Sequence, residues 1–244
     1  MEQKQKAQVI SKEEIIAILS KNGKDNIISS QTKKVLNAVI SDKTGQELMI
    51  SIINERKDKL DKFPLVIDGF VYQEIMASKN KSTIKELMSN LPNGVLKLKN
   101  SMELDYQPLQ NLLINKKFKE ADELTQNYLC QIVEKKKNKR KKWLYFTDIQ
   151  FIPKNDLLII DLLWRIYSEG KFGFSVQKKI WLVNSKKWDK LWKKISWLEI
   201  NSGMMKRYPK GFLWTTEAPE GHLPLFNQLR GTQSLTYLFK RIDW

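Results

Sequence analysis

The residues that could carry out chemistry are few in this chain and lie far apart in the sequence. His222 is the only histidine and Cys130 the only cysteine, so a nucleophilic triad or a zinc site lacks its usual set of residues. Asp156 and Asp161 are five residues apart, which places them on different faces of a helix. The sequence contains no P-loop and no GxGxxG motif. It therefore predicts that the protein is not an enzyme and has no catalytic residue, metal ligand or catalytic cofactor, and that His222 has a structural role.

Large apolar residues in irregular segments are the more informative feature. The stretch GKFGFSVQKKIW, residues 170–181, sets two phenylalanines beside glycines, and a second segment at residues 199–224 is rich in glycine and proline. Loops offer few opportunities for burial, so these rings are expected at the surface, where exposed apolar area usually marks a binding site. The rings are Phe172, Phe174, Trp197, Phe212 and Trp214.

Basic residues accompany these rings and narrow the class of ligand. Lys171 and Lys178 lie in the first segment and Arg207 in the second. A flat apolar ligand edged with carboxylates matches such a surface, and this describes a porphyrin. An acidic membrane surface matches it as well.

The formal net charge of +16 leaves another class of function open. Of the 43 basic residues 37 are lysine, whereas bidentate recognition of phosphates and bases favours arginine. The run KKKNKRKK at residues 135–142 could bind phosphate, although we favour a solvated loop because no aromatic residue alternates with the lysines. A basic RNA-binding or ribosome-associated protein is the alternative. A lysine excess is also what an AT-rich genome produces, and it fits a plastid or an endosymbiont.

Signals for export or for a membrane span are absent from the sequence. No apolar run reaches 18 residues, and the first residues include acids and no signal-peptide block. A single cysteine cannot form an internal disulfide. The protein is expected to work in a reducing compartment, the one in which it is made.

Aromatic residues divide the chain into two unlike halves. Residues 1–100 hold 3 of the 25 aromatic residues, and all eight tryptophans lie at or after Trp143. Such a shift in composition predicts two domains, residues 1–100 and residues 101–244. The stretch NLPNGVLKLKN at residues 90–100 is the expected joint.

Helical patterns occupy both halves, so the predicted fold class is all-α. In the first half, capping-box patterns that begin at Ser11, Thr44 and Thr83 predict helix starts. Two further helices are predicted around residues 35–40 and 65–76. Because no repeat period is present, this half is expected to be an irregular helical bundle.

In the second half, apolar spacing predicts a helical hairpin that turns at residues 115–117 and a helix over residues 157–167. Ser175 is predicted to cap the next helix. Two more helices are predicted, at residues 188–195 and 232–241. The tryptophans on the apolar stripes of these helices are expected in the core: Trp164, Trp181 and Trp192.

Four stretches of the second half carry a resemblance to a known family. They are DYQPLQNLL, FKEADELT, PKNDLLIIDLLWRIYSEGKFGFSVQKKIW and APEGHLP. From Leu104 to about Pro224 the chain resembles the genomes-uncoupled-four family of tetrapyrrole-binding regulators of chlorophyll synthesis. Residues 1–100 are only loosely similar to the helical extension that cyanobacterial and some algal members carry.

The resemblance implies an all-helical domain with a cupped apolar surface between two loops, one near FGFSVQ and one over residues 199–216. It implies binding of protoporphyrin IX and its magnesium complex, and stimulation of magnesium chelatase through the large porphyrin-binding subunit of that enzyme. The ligand-binding residues are then expected to be Phe172, Phe174, Val176, Ile180, Trp197, Tyr208, Phe212, Trp214, Lys171, Lys178 and Arg207.

A location follows from the same resemblance. The protein is expected in the chloroplast, plastid-encoded and in the stroma or at the membrane periphery, or else in the cyanobacterial cytoplasm. We expect a monomer that binds no nucleic acid, and a peripheral membrane contact is compatible with this reading.

The sequence departs from the family pattern at two places. Ile152–Pro153–Lys154 stands where a Phe–Pro–Cys is usual, so no cysteine acts there. Gly203–Met204–Met205 replaces a further tryptophan. Methionine is apolar and adaptable, and it can still cover the face of a ring.

Overall fold

A computed structural model describes residues 15–17, 27–59, 64–98, 103–199, 203–225 and 232–244. Within these ranges the regular structure is helical, apart from one isolated β-bridge between Leu198 and Met205, and the predicted all-α class is confirmed. The helices are α1 (Ser30–Ile40), α2 (Lys43–Lys59), α3 (Val66–Ala77), α4 (Lys81–Asn90), α5 (Gln107–Ile114), α6 (Phe118–Lys137), α7 (Lys154–Ile166), α8 (Phe174–Val183), α9 (Trp188–Lys194) and α10 (Thr232–Arg241), with a 3-10 helix (Phe146–Phe151) between α6 and α7.

Helix starts in the first half use caps other than the predicted ones. Asp42 Oδ1 accepts a hydrogen bond from a backbone amide of the first turn of α2 at 2.7 Å, and Asn80 Oδ1 does the same for α4 at 3.2 Å. The predicted caps Thr44 and Thr83 lie inside these helices instead. Asparagine and aspartate are stronger caps than threonine, so the helices begin earlier than predicted. The cap predicted at Ser11 lies outside the described residues.

Two buried aspartates position the helices of the second half. Asp156 Oδ1 accepts a hydrogen bond from the Tyr106 hydroxyl at 2.6 Å. Asp161 Oδ1 accepts one from the Ser175 amide at 2.8 Å, so a carboxylate of α7 satisfies the first turn of α8. The predicted cap at Ser175 is therefore wrong, because the helix already begins at Phe174. The two carboxylates have separate partners, as their spacing indicated.

One close contact between the two halves lies where α3 packs against the end of α7. A Cβ atom on Gly69 would lie 2.4 Å from the Ile166 carbonyl oxygen and 2.4 Å from its Cγ2 atom. Any side chain at this position would force the two helices apart. Glycine at position 69 therefore permits the close contact between α3 and α7.

Buried hydrogen bonds reinforce this contact between the halves. Gln73 Nε2 lies 3.0 Å from the Leu113 carbonyl oxygen and 3.2 Å from that of Tyr167. The Tyr167 hydroxyl donates to Gln110 Oε1 at 2.9 Å and accepts from the Val95 amide at 3.0 Å. Buried polar groups are costly when they lose their partners. The boundary near residue 100 stays a prediction, but the halves on either side of it share buried polar contacts.

The basic run at residues 135–142 is exposed over most of its length, but part of it is built into the fold. Its first three residues belong to α6, and Lys137 and Lys141 donate to the two oxygens of buried Asp148 at 2.7 and 2.9 Å. Burial opposes ionisation of Asp148, but hydrogen bonds from these two lysines outweigh it and lower the pKa to about 2. Lys137 also lies 4.7 Å from the centre of the Phe151 ring. The run is thus neither a free phosphate-binding arm nor only a solvated loop.

The close contact at Gly69 generates a stability prediction. We expect Gly69→Ala to lower the free energy of unfolding by about 1–3 kcal/mol, because the added methyl group must displace a backbone carbonyl. Helix propensity alone would favour alanine by about 1 kcal/mol. The sign of the change in the free energy of unfolding therefore shows whether helix propensity or the steric overlap dominates. Urea unfolding followed by circular dichroism measures it. Ser89→Ala, at an exposed position of α4, is the control and should change stability little. A stabilised Gly69→Ala variant would contradict the close packing.

Candidate ligand-binding surface

The two loops identified in the sequence lie against each other. The Gly221 amide donates to the Lys171 carbonyl at 2.7 Å, and the Gly173 amide donates to the Leu223 carbonyl at 3.0 Å. Gly173 has φ +137°, and a Cβ atom there would lie 2.8 Å from Asp161 Oδ1, so the chain requires glycine at this point. The start of α8 therefore contacts residues 203–225, which we call the site segment.

Two buried side chains hold the C-terminal end of the site segment in place. Gln177 Nε2 donates to the Gly221 carbonyl at 3.0 Å and to the Pro224 carbonyl at 2.8 Å. Asp122 Oδ1 accepts a hydrogen bond from the Leu225 amide at 2.6 Å. Burial raises the pKa of Asp122 to about 8, although the Leu225 amide opposes the shift, so this carboxyl group is mostly neutral at pH 7. The segment is anchored by groups that carry little charge.

His222 ties the middle of the site segment to the end of α9. Its Nδ1 atom lies 2.6 Å from the Ile195 carbonyl oxygen, which can only accept, and its Nε2 atom accepts from the Leu213 amide at 3.0 Å. The ring is thus a neutral imidazole with its proton on Nδ1. Burial lowers the pKa of His222, and the Ile195 carbonyl opposes this. The structural role expected for this histidine fits the geometry.

The expected exposure of the site rings is wrong for most of them. Phe172, Phe174 and Trp197 are 0% exposed, and Phe212 is 4% exposed. Val176, which the resemblance placed at the ligand, is 6% exposed. These five side chains belong to the core that lies behind the two loops.

The burial of Phe172 and Phe212 is caused by contact with residues outside their own segments. The Phe172 ring packs edge-on against Phe118 at 5.5 Å between centroids and against Trp164 at 6.4 Å. Phe212 packs edge-on against Trp197 at 6.3 Å. The Phe172 amide is satisfied by the Ser168 hydroxyl at 2.9 Å. Because its backbone groups find partners, the glycine-flanked loop can fold inward.

Other predicted residues do reach the surface. Arg207 and Tyr208 are exposed, and Trp214 and Ile180 are half-buried. The Tyr208 hydroxyl donates to Glu123 Oε1 at 2.7 Å, and its ring lies 6.0 Å from that of Trp214. Burial of the hydroxyl and this carboxylate raise the pKa of Tyr208. Tyr208 and Trp214 thus form an accessible aromatic pair.

The two predicted lysines are engaged by the protein itself. Lys171 Nζ donates to the Thr216 carbonyl, and Lys178 Nζ donates to the Ile242 carbonyl. Both side chains are half-buried. They position the loops and the C-terminal residues rather than extending into solvent. Within the described residues, no group of three or more His, Cys, Asp and Glu side chains is placed to hold a metal ion.

A row of stacked tryptophans runs behind the site segment. The Trp192 and Trp197 rings are 5.2 Å apart and nearly parallel, at 7°. Trp188 stacks on Trp192 at 5.2 Å, and Trp181 lies 5.0 Å from Trp188. We call these four residues the tryptophan row. Trp181 and Trp192, expected in the core, are half-buried, and the spacing of Trp188 and Trp192 by four residues could have revealed the stacking.

Two accessible apolar residues of the site segment were missed as site residues. Met204 is 62% exposed and Leu213 is 50% exposed, and Tyr208 between them is 42% exposed. The sequence predicts that Met204, which replaces a tryptophan, can cover the face of a ring, but does not count it among the ligand-binding residues. These three residues and the half-buried Trp214 are apolar residues of the site segment that a ligand can reach, and we call the four residues the rim.

Comparisons with known proteins extend over both halves of the chain. The sequence profile of the GUN4-like family matches residues 99–242. The uncharacterized protein ycf53 of Pyropia yezoensis is 39% identical over 226 residues, which is 93% of this chain and 94% of that protein. The chloroplastic tetrapyrrole-binding protein of Arabidopsis thaliana is 39% identical over 137 residues, 53% of this chain and 51% of that protein. The solved structure of GUN4 from Chlamydomonas reinhardtii gives a TM-score of 0.51 at 35% identity, over 59% of this chain and 93% of that one.

The burial of Phe172 predicts a loss of stability on truncation. We expect Phe172→Ala to lower the free energy of unfolding by about 3–5 kcal/mol, because it leaves a cavity between Phe118 and Trp164. Urea unfolding measures this change. Trp214→Ala, at a half-buried position, should cost clearly less. Equal and small losses in the two variants would contradict the packing of Phe172.

The neutral state of His222 predicts a dependence of stability on pH. Because its pKa is lowered in the folded protein, the unfolded chain binds a proton more readily just below pH 6.5. The contribution of His222 to the free energy of unfolding is therefore present above that pH and is lost as the pH falls. The raised pKa of Asp122 acts in the opposite direction, so the stability of the wild-type protein alone does not isolate the effect.

The measurement compares the wild-type protein with His222→Gln, which does not titrate. We expect the difference between their free energies of unfolding to narrow as the pH falls from 7.5 to 5.5, by at most about 1.4 kcal/mol per pH unit. Urea unfolding at three pH values gives this difference. A difference that stays constant would show that His222 does not lose its hydrogen bonds on protonation.

Proposed function

Because the chain belongs to the GUN4-like family, we propose that it binds a porphyrin, protoporphyrin IX or its magnesium complex, and regulates chlorophyll synthesis without being an enzyme. The protein is located in a plastid or in a cyanobacterial cell. The observation that carries the proposal is the rim, a set of accessible apolar side chains on a segment that buried side chains hold in place. The rim lies within the residues that match the family.

The rim suits a flat macrocycle better than the buried rings do. Met204, Leu213 and Tyr208 are accessible, and Trp214 adds the edge of a half-buried ring. Phe172, Phe174, Val176, Trp197 and Phe212 then act as a rigid backing behind the rim. A surface ordered before binding loses less conformational entropy when the ligand arrives.

Charged groups at the rim are fewer than the sequence indicated. Arg207 and Lys210 are exposed on the site segment and can reach the propionates of a porphyrin. Lys171 and Lys178 already donate to carbonyl groups. We therefore assign propionate contact to Arg207 and Lys210, and loop positioning to Lys171 and Lys178.

Apolar contact should supply most of the affinity. Burying roughly 400 Å² of macrocycle and rim at about 25 cal/mol per Å² gives about 10 kcal/mol before the costs of association. Each exposed contact between a cation and a carboxylate adds only about 0.2–1 kcal/mol. The charges mainly orient the ligand and speed its encounter with the protein.

The partner that the family suggests is the large porphyrin-binding subunit of magnesium chelatase. In this proposal the chain acts as a monomer that presents its porphyrin to that subunit and stimulates the chelatase. In this proposal magnesium chelatase, and not this chain, catalyses the insertion of magnesium.

Porphyrin binding should depend on the rim. We expect the double variant Met204→Ser, Leu213→Ser to bind protoporphyrin IX at least about tenfold more weakly, since two accessible apolar contacts are lost. Quenching of tryptophan fluorescence during a porphyrin titration measures the affinity. The same variant should stimulate purified magnesium chelatase less at limiting porphyrin, measured as the rate of magnesium protoporphyrin formation.

The matched control is Leu182→Ser, Val183→Ser, which removes two exposed aliphatic side chains at the end of α8. It should bind porphyrin like the wild-type protein. Circular dichroism melts establish that both variants are folded. If both variants bind porphyrin with wild-type affinity, the rim is not the site. If binding is lost without any change in chelatase stimulation, the regulatory part of the proposal is overturned and the binding part stands.

A further inference from the structure

A carboxylate from another part of the chain contacts the rim at Tyr208. The Tyr208 hydroxyl donates to Glu123 Oε1 at 2.7 Å, and both side chains are exposed. Glu123 belongs to α6, a helix outside the site segment. A ligand that covers the Tyr208 ring therefore comes close to a negative group that the site segment itself does not supply.

The protein offsets the charge of Glu123 only weakly. Lys119, one turn earlier on α6, lies 3.8 Å from Glu123 Oε1, and about half of each side chain is exposed. Ion pairs at such exposed positions are weak. Asp122, the preceding residue, is buried and mostly neutral at pH 7, because burial raises its pKa to about 8. Glu123 is thus the charged carboxylate that a ligand meets beside Tyr208.

The cations that we assign to the propionates are separate from this carboxylate. Arg207 and Lys210 are exposed on the site segment. Within the part of the chain that the structure describes, neither of them forms an ion pair with an acid, and Glu123 is no exception. The rim therefore has cations that can attract the carboxylates of a ligand, and a place beside Tyr208 that repels them.

We propose that Glu123 makes the rim selective for porphyrins that carry their carboxylates along one edge of the macrocycle. A propionate beside Tyr208 would lie next to a like charge, and such an arrangement lowers the affinity for the wrong ligand. This inference rests on the proposed porphyrin binding. It adds the side chain that discriminates between one porphyrin and another.

The chemistry of the ligands makes the selection concrete. Protoporphyrin IX has its propionates on one edge and its vinyl groups on the opposite edge. It can therefore place propionates at Arg207 and Lys210 while apolar groups lie beside Tyr208 and Glu123. Coproporphyrin III has propionates in place of both vinyl groups, so any orientation brings a carboxylate toward Glu123. Deuteroporphyrin IX has hydrogen atoms at these positions and serves as the uncharged reference.

A second role of Glu123, the positioning of Tyr208, has to be separated from its charge. The variant Glu123→Gln keeps a side-chain oxygen that can accept the Tyr208 hydrogen bond, but it removes the negative charge. A change of selectivity in this variant therefore reports the charge and not the position of the ring. Repulsion between exposed charges is also screened by salt, whereas a change in the shape of the rim is not.

The test is titration of the full-length protein with deuteroporphyrin IX and with coproporphyrin III, followed by quenching of tryptophan fluorescence at low salt. We expect the wild-type protein to bind coproporphyrin III at least about threefold more weakly than deuteroporphyrin IX, as repulsion between exposed carboxylates predicts. In Glu123→Gln the ratio of the two dissociation constants should fall toward one. The ratio for the wild-type protein should also fall as salt rises above about 0.1 M.

The matched control is Glu86→Gln, which removes the same charge from an exposed position of α4 in the first half. It should keep the wild-type ratio, and circular dichroism verifies that both variants are folded. Equal affinity of the wild-type protein for the two porphyrins, an unchanged ratio in Glu123→Gln, or an equal fall in both variants would overturn this inference and leave porphyrin binding standing. If neither porphyrin nor protoporphyrin IX binds to the wild-type protein, the proposed function is overturned and the inference with it.

Discussion

The interior of the second half depends on side chains that satisfy the backbone of an irregular segment. Residues 203–225 have little regular structure of their own, yet Phe212, Ala218 and the whole of residues 221–225 are buried. Its amides and carbonyls pair with Asp122, Gln177 and His222, each of which is almost fully buried. A buried loop without such partners would be destabilised by every unpaired group. The position of the accessible apolar residues follows from these few hydrogen bonds.

These contacts also explain why the chain uses polar residues that hold little charge. Gln177 is neutral, His222 is a neutral imidazole, and Asp122 is mostly protonated at pH 7 because burial raises its pKa to about 8. Neutral groups cost less to bury than ions. The buried anchors of the segment therefore add little charge, whereas the carboxylate that accepts from Tyr208, Glu123, is exposed to solvent.

The sequence predicted the elements of this fold better than their contacts. Helical spacing placed the helices correctly, since the apolar stripe is a local property of the chain. The caps were less predictable, because Asp161 satisfies the start of α8 from a helix that precedes it in the chain. The buried state of Phe172 was missed for a similar reason. Glycines on either side suggested an exposed loop, whereas Phe118, distant in the sequence, and Trp164 of the preceding helix cover the ring.

The tryptophan row makes the intrinsic fluorescence of the protein sensitive to what binds near it. Rings as close as Trp192 and Trp197, at 5.2 Å and nearly parallel, share excitation instead of emitting independently. Energy absorbed at one ring can pass to the next along the row, from Trp181 at one end to Trp197 at the other, where Trp197 packs against Phe212. A molecule that binds at either end therefore alters the emission of several rings at once. The depth of quenching measures the coupling between the rings, not the number of tryptophans in contact with the molecule.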